Sequence, residues 1–197
     1  MQITELIKKT RTFRRFHEER RLTTDSLRGL VEMVRFGGSA RNCQPLQFLI
    51  LHTQEDCEKI FPLLGWAGYL RHWKGPSPGE RPSAYIICLL NRDRLKGSVA
   101  EAHFDLGIAT QNMLLVAMEQ GIGGCRIGSF SPKIHQLLSL DKTHEVLLVL
   151  ALGVPREIVQ LEDVRNNEVR YWRDRDQVHH VPKRTLEDVL YQGEIRG

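Results

Sequence analysis

The clearest helical stripe along the chain is Leu27, Leu30, Val31 and Val34, spaced i, i+3, i+4 and i+7. Thr23 or Thr24 is placed to cap its first turn, and Gly37-Gly38 to stop it. Residues 47–52 form a short apolar run that reads as a buried strand, and residues 55–64 read as a second helix. The continuous apolar character of residues 84–90 suits a strand covered on both faces. Residues 105–120 carry Leu106, Ile108, Ala109, Met113, Leu114, Leu115, Val116, Ala117 and Met118 around nearly the whole circumference of a helix. A surface helix does not tolerate that pattern, so this one is predicted to be central or buried in a dimer.

Residues 122–127 read as a strand. Ser131-Pro132 supplies an N-cap with proline at the first helical position, opening a helix to about residue 140. The last core strand spans residues 145–152. Beyond Gly153-Val154-Pro155 the apolar runs cease, and residues 169–181 alternate around Asp174-Arg175-Asp176 like a hairpin, which reads as an arm rather than a domain. A Leu186/Val189/Leu190 helix follows it. Alternating helices and strands predict an α+β or α/β sheet with helices on both faces. Between the second helix and second strand, residues 65–82 hold four Gly and three Pro beside Trp66, Tyr69 and Trp73, a long loop of the kind that forms lids.

At 197 residues the chain is predicted to be one domain with its own core. No apolar run approaches the roughly 20 residues that span a bilayer, and the N-terminus lacks the pattern of an export signal. Four cysteines without a CxxC pair fit reduced thiols in a cytoplasm. The formal net charge is +4, and the first 21 residues, with seven Lys and Arg against three Glu, account for all of it. A duplex-binding protein needs many phosphate contacts over one face. With the remainder neutral, the Arg11-Thr12-Phe13-Arg14-Arg15-Phe16 cluster suits one small phosphorylated ligand better, since guanidinium groups grip phosphate in a fork. A solvated basic helix end is the plainer alternative.

Gly121, Gly123, Gly124 and Gly128 do not make a dinucleotide fingerprint, because the spacing is wrong and a helix precedes the glycines. Walker A and G-x-S-x-G motifs are absent. The eight histidines lack metal-ligand spacing, and most read as exposed or capping residues. The loop Ser39-Ala40-Arg41-Asn42-Cys43-Gln44-Pro45 offers amides that could pair with the edge of a heteroaromatic ring. Pro182-Lys183-Arg184 adds a second cationic pair.

Taken together, these stretches resemble the FMN-dependent nitroreductase family. The N-terminal cluster is similar to R-R-S-x-R-x-F, residues 38–46 to P-S-A-G-N-x-Q-P-W, residues 105–115 with 121–128 to the family's central helix and following strand, and residues 182–187 to its closing element. Departures are Thr10 for arginine, Gly38 for proline, Arg41 for glycine and Leu46 for tryptophan. The resemblance implies a three-layer α/β/α sandwich with a mostly antiparallel sheet, an intertwined homodimer, and residues 156–197 as an arm closing on the flavin site. It implies Arg11, Thr12 and Arg14 on the phosphate and ribityl side of FMN, with Arg14 reaching the ring's N1/O2 edge and Lys183 and Arg184 closing on the phosphate. Ser39 would come from the partner subunit, Asn42 and Gln44 would bond the ring's polar edge, and the backbone near Ile127 and Gly128 would complete the pocket. Arg41 would contact the flavin or favour an acidic acceptor. The implied activity is NAD(P)H-dependent reduction of a nitroaromatic, quinone or similar small acceptor by a ping-pong route, without membrane, metal or nucleic acid. Dehalogenase-like or flavin-consuming chemistry, or non-catalytic anion or nucleic-acid binding, are the alternatives.

Overall fold

The computed structural model describes residues 1–193; the last four residues of the expected arm lie outside them. Strands β1 (Leu46–Leu51), β2 (Ala84–Asn91), β3 (Gly123–Ile127) and β4 (His144–Gly153) form an antiparallel sheet in the order β1-β2-β4-β3. β2 sits inside the sheet, and its residues 84–90 are buried, as their unbroken apolar run demands. Helices cover both faces. On one side, α3 (Gln54–Ile60) and α5 (Lys133–Leu137) enclose Ile60, Tyr85, Ile87, Ile127, Ile134 and Val149. On the other, α2 (Thr24–Glu32) and α4 (Val99–Glu119) enclose Leu27, Leu30, Ile86, Met113, Leu114, Leu150 and Leu152.

Thr23 caps α2, its hydroxyl accepting from the Ser26 amide. α4 begins six residues before its apolar pattern because Ser98 and Glu101 make a reciprocal capping box. It buries Leu106, Met113 and Leu114, yet Phe104 is 72% and Ile108 45% exposed, leaving an apolar strip uncovered in the single chain. The helix expected to run from Pro132 to residue 140 stops at Leu137, because Ser139 adopts a left-handed backbone (φ 51°) and turns the chain out of the helix.

The basic cluster is no helix end. α1 (Ile3–Lys9) closes at Thr10, and the following residues run extended along the free edge of β3. Thr12 bridges Gly124, the Phe13 amide donates to the Gly124 carbonyl at 3.0 Å, and Phe16 bridges Pro155. Phe16 is fully buried against Gly153, where a Cβ would lie 2.9 Å from its ring; a Cβ at Gly124 would lie 2.6 Å from Leu114. These glycines therefore serve close packing of the segment and of α4, not a phosphate turn.

After β4, β5 (Val159–Asp163), β6 (Trp172–Arg173) and β7 (His179–Lys183) form a small sheet in the order β5-β7-β6. β6 and β7 are the expected hairpin, shorter than its alternation suggested, while the parallel β5–β7 pairing is a feature the pattern did not announce. α6 (Leu186–Val189) follows with Leu186 and Val189 exposed. The 65–82 loop is pinned at three aromatics. Trp66 packs on Phe61, Tyr69 on Tyr171 with centroids 5.0 Å apart, and Trp73 lies under the Arg173 guanidinium at 4.2 Å. No helix among the described residues is long and apolar enough to cross a membrane. All four cysteines are free thiols.

Because Phe16 locks the N-terminal segment onto the sheet, Phe16→Ala is expected to lower unfolding free energy by about 3–5 kcal/mol, measured by urea denaturation. A loss below about 1 kcal/mol would show that the segment is not anchored there.

Candidate functional site

The extended segment, β3, α4 and the hairpin enclose a cavity of about 330 Å³. Arg11, Thr12 and Arg14 enter it from the segment, Arg126 from β3, Gln111 and Leu114 from α4, and Tyr171, His179, Val181 and Lys183 from the hairpin. Among the described residues four cations line it, and none of the lining residues is acidic.

Each cation is held differently. Arg11 donates from Nη2 to the Ile7 carbonyl at 2.6 Å, its Nε is buried without a partner, and burial lowers its pKa. Arg14 donates from Nη1 to His179 Nε2 at 3.1 Å and lies 4.8 Å over the Tyr171 ring. Arg126 donates to Thr110 Oγ1 and to Gln111 Oε1, both at 2.8 Å, with its pKa lowered by desolvation. Arg15, between them in sequence, turns away to Glu80, its Nε donating at 2.9 Å.

Beneath the cavity, Glu157 has a fully buried carboxylate. It accepts from the amides of Arg14 and Arg15 and, at 2.8 Å, from Arg173 Nη2. His179 is 1% exposed, and burial together with the nearby Arg14 and Arg173 lowers its pKa to about 4. It is a neutral ring whose Nε2 accepts, so the proton sits on Nδ1, which has no partner. His180 faces the opposite side of β7, stacked on Trp172 and bonded to Glu162 and Asp174. Burial opposes its charge, but those two carboxylate bonds raise its pKa on balance. These two are buried where most of the histidines were expected to be exposed or capping, because strand alternation places one on each buried face.

The same alternation corrects the terminal pair. His179, Val181 and Lys183 share the cavity face, so Arg184 points elsewhere and donates to Asn167 Oδ1 at 3.2 Å. Arg126, Gln111, Tyr171 and His179 were missed in the sequence. Only the period-2 spacing of residues 179, 181 and 183 carried a signal for His179.

The second group of expected residues lies apart. Ser39 donates to Asp105 Oδ2 at 2.7 Å, and the Ala40 amide to Oδ1 at 2.9 Å. Gln44 donates to Asn42 Oδ1 at 3.0 Å. Arg41, Asn42 and Gln44 all have left-handed backbones (φ 52°, 52° and 48°), a strained loop that the buried Asp105 holds. Arg41 directs its guanidinium to Glu101 at 2.6 Å. Ser39 and Gln44 border a separate cavity of about 240 Å³ with Val34, Pro45, Asp105 and Ile108. Asp105 precedes Gln111 on α4 by about 9 Å of helix rise, and none of Ser39, Arg41, Asn42 and Gln44 lines the cation cavity. Ile127 turns its side chain into the core, and neither it nor Gly128 lines the cation cavity. Among the described residues no cluster of His, Cys, Asp and Glu could hold a metal ion.

Residues 69–154 match the model of the nitroreductase family. A Methanothermobacter thermautotrophicus protein, provisionally named an NADH dehydrogenase/NAD(P)H nitroreductase, is 26% identical over 163 residues, covering 80% of this chain and 79% of its own length. Among solved structures, a Desulfovibrio desulfuricans protein, provisionally named a nitroreductase and solved in complex with FMN, superimposes with a TM-score of 0.72 at 19% identity, covering 100% of this chain and 99% of that one. A nitroreductase family protein from Clostridium difficile 630 gives 0.65 at 20% identity, covering 80% and 87%.

His179 sets a pH dependence. Its unfolded form takes up a proton near pH 6.5 and its folded form only near 4, so stability falls as pH drops through that window. His180, with its raised pKa, contributes stability that is fully present below 6.5 and is lost as pH rises through its folded value. Of the two histidines, His179 is therefore the one that lowers stability on the acid side. Between pH 6.5 and 5 unfolding free energy should fall by roughly 1.5 kcal/mol, and by less than half as much in His179→Gln. Urea titrations at both pH values check this; equal losses in both proteins would refute it.

Proposed function

We propose that the chain, whose residues 69–154 match the nitroreductase family model, is an FMN-dependent oxidoreductase that oxidises NAD(P)H and reduces a nitroaromatic, quinone or similar small acceptor. The observation that carries the proposal is the cavity at the β3 edge, where Arg11, Arg14, Arg126 and Lys183 converge with no acidic lining residue. Convergence into one cavity favours a small anion over nucleic acid, whose contacts spread over a face.

The residues present fit the phosphate end of FMN. Four cations and the Thr12 hydroxyl form a donor set, and the buried Arg11 Nε lacks a partner among the described residues. Arg11, Arg14 and Lys183 would hold the phosphate, with Thr12 beside the ribityl chain. The chemistry that bound FMN supplies is two-electron transfer from NAD(P)H to the acceptor, the two substrates alternating in ping-pong order. No side chain is assigned a proton-transfer role. The ring end needs more than one chain provides, and we assign it to the Ser39–Gln44 loop of a second copy. The exposed Phe104 and Ile108 on α4 support a homodimer, and free thiols accord with a cytoplasmic setting. Arg41, held by Glu101, is assigned to loop geometry rather than to flavin or acceptor.

Purified protein given FMN is expected to show a two-band flavin spectrum that NAD(P)H bleaches. A protein that takes up no FMN overturns the reading. Losing one charge-assisted bond to phosphate costs on the order of 1.4 kcal/mol or more. Lys183→Ala should therefore weaken FMN binding about tenfold or more, and Arg184→Ala less than about twofold, by fluorescence titration. The reverse order would move the phosphate to the other face of β7.

A further inference from the structure

Among the described residues, the arginines around Glu157 are neutralised by acids with one exception. Arg15 pairs with Glu80, and Arg173 with Glu157. Glu157 also receives the Arg14 amide, but the Arg14 side chain takes none of it. That guanidinium donates instead to the neutral His179 Nε2 and rests on the Tyr171 ring. His179 in turn packs 5.2 Å from Tyr171, which packs against Tyr69 on the long loop.

We propose that His179 and Tyr171 form a neutral seat that aims the Arg14 guanidinium into the cavity without compensating its charge, so that selection for the phosphorylated over the unphosphorylated flavin runs through His179. Two features of the geometry support this. A carboxylate in that place would hold the guanidinium as firmly but would cancel its charge and repel an incoming phosphate. A ring nitrogen and an aromatic face hold it by one hydrogen bond and by cation–π attraction, and both leave the positive charge facing the ligand. His179 touches no ligand in this scheme and acts only through Arg14; it is a positioning residue. The proposal rests on the FMN reading above.

The test uses full-length apoprotein titrated with FMN and with riboflavin, which lacks the phosphate. His179→Leu keeps bulk and removes the acceptor, whereas His179→Gln keeps a neutral acceptor. His179→Leu is expected to weaken FMN at least tenfold and riboflavin less than twofold, with His179→Gln within threefold of wild type for both. Equal weakening of both flavins by His179→Leu, or no rescue by Gln, makes His179 a packing residue and overturns the proposal. If His179→Leu does not fold, Tyr171→Leu removes the other half of the seat, and the same phosphate-selective loss is required of it. If the wild type binds neither flavin, the FMN reading fails by itself and inorganic phosphate becomes the probe. A phosphate-induced rise in Tm that is lost in the variant then supports the seat; one that persists in the variant, or is absent from wild type, overturns it.

Discussion

Glu157 accepts from the amides of Arg14 and Arg15 and from the guanidinium of Arg173, with none of its side chain exposed. It joins three parts of the chain that are far apart in sequence: the N-terminal segment, the turn after β4, and the hairpin strand β6. A carboxylate taken out of water loses several kcal/mol of hydration, which the three hydrogen bonds from its partners must offset. Removing one partner from such a buried pair typically costs about 3–5 kcal/mol. This constraint fixes the backbone at Arg14, while its side chain meets no acid among the described residues.

Charge is then sorted by which residues find acids. Arg15 and Arg173 do, whereas Arg11, Arg14 and Arg126 are held by a carbonyl, an imidazole, a hydroxyl and an amide. A phosphate monoester carries about −1.5 to −2 charges at neutral pH, which these three arginines and Lys183 more than match. The sequence-wide surplus of +4 is thus uninformative as a total. What matters is that neutral acceptors, by their placement, leave a few cations uncancelled in one enclosed space.

Much of the frame was legible in the pattern of residues, because burial on both faces of β2 and around α4 requires continuous apolar runs, and such runs are visible without a structure. The site was less so. Arg11, Thr12, Arg14 and Lys183 could be singled out by type and spacing, yet Arg184 is as cationic as Lys183 and differs only in strand parity. That difference rests on β7 pairing in parallel with β5, a five-residue strand whose short alternation, Val159 and Leu161, does not announce its partner. Arg126, Tyr171 and His179 enter the cavity through tertiary packing alone. His179 reads as a polar surface residue until Arg14 and Tyr171 are brought beside it.

α4 connects the two halves that one chain keeps apart. Its Asp105 holds the strained Ser39–Gln44 loop, and its Thr110 and Gln111 hold Arg126 at the cation cavity. Phe104 and Ile108 lie exposed on the same helix. In an isologous dimer the same patch meets itself, so residues at two positions on one helix face each other across the axis. The proposed dimer would bury that apolar strip and carry the loop of one copy toward the cavity of the other. An apolar circumference on α4 is then a requirement of a shared site: the sheet covers one side, and a second copy would have to cover the rest.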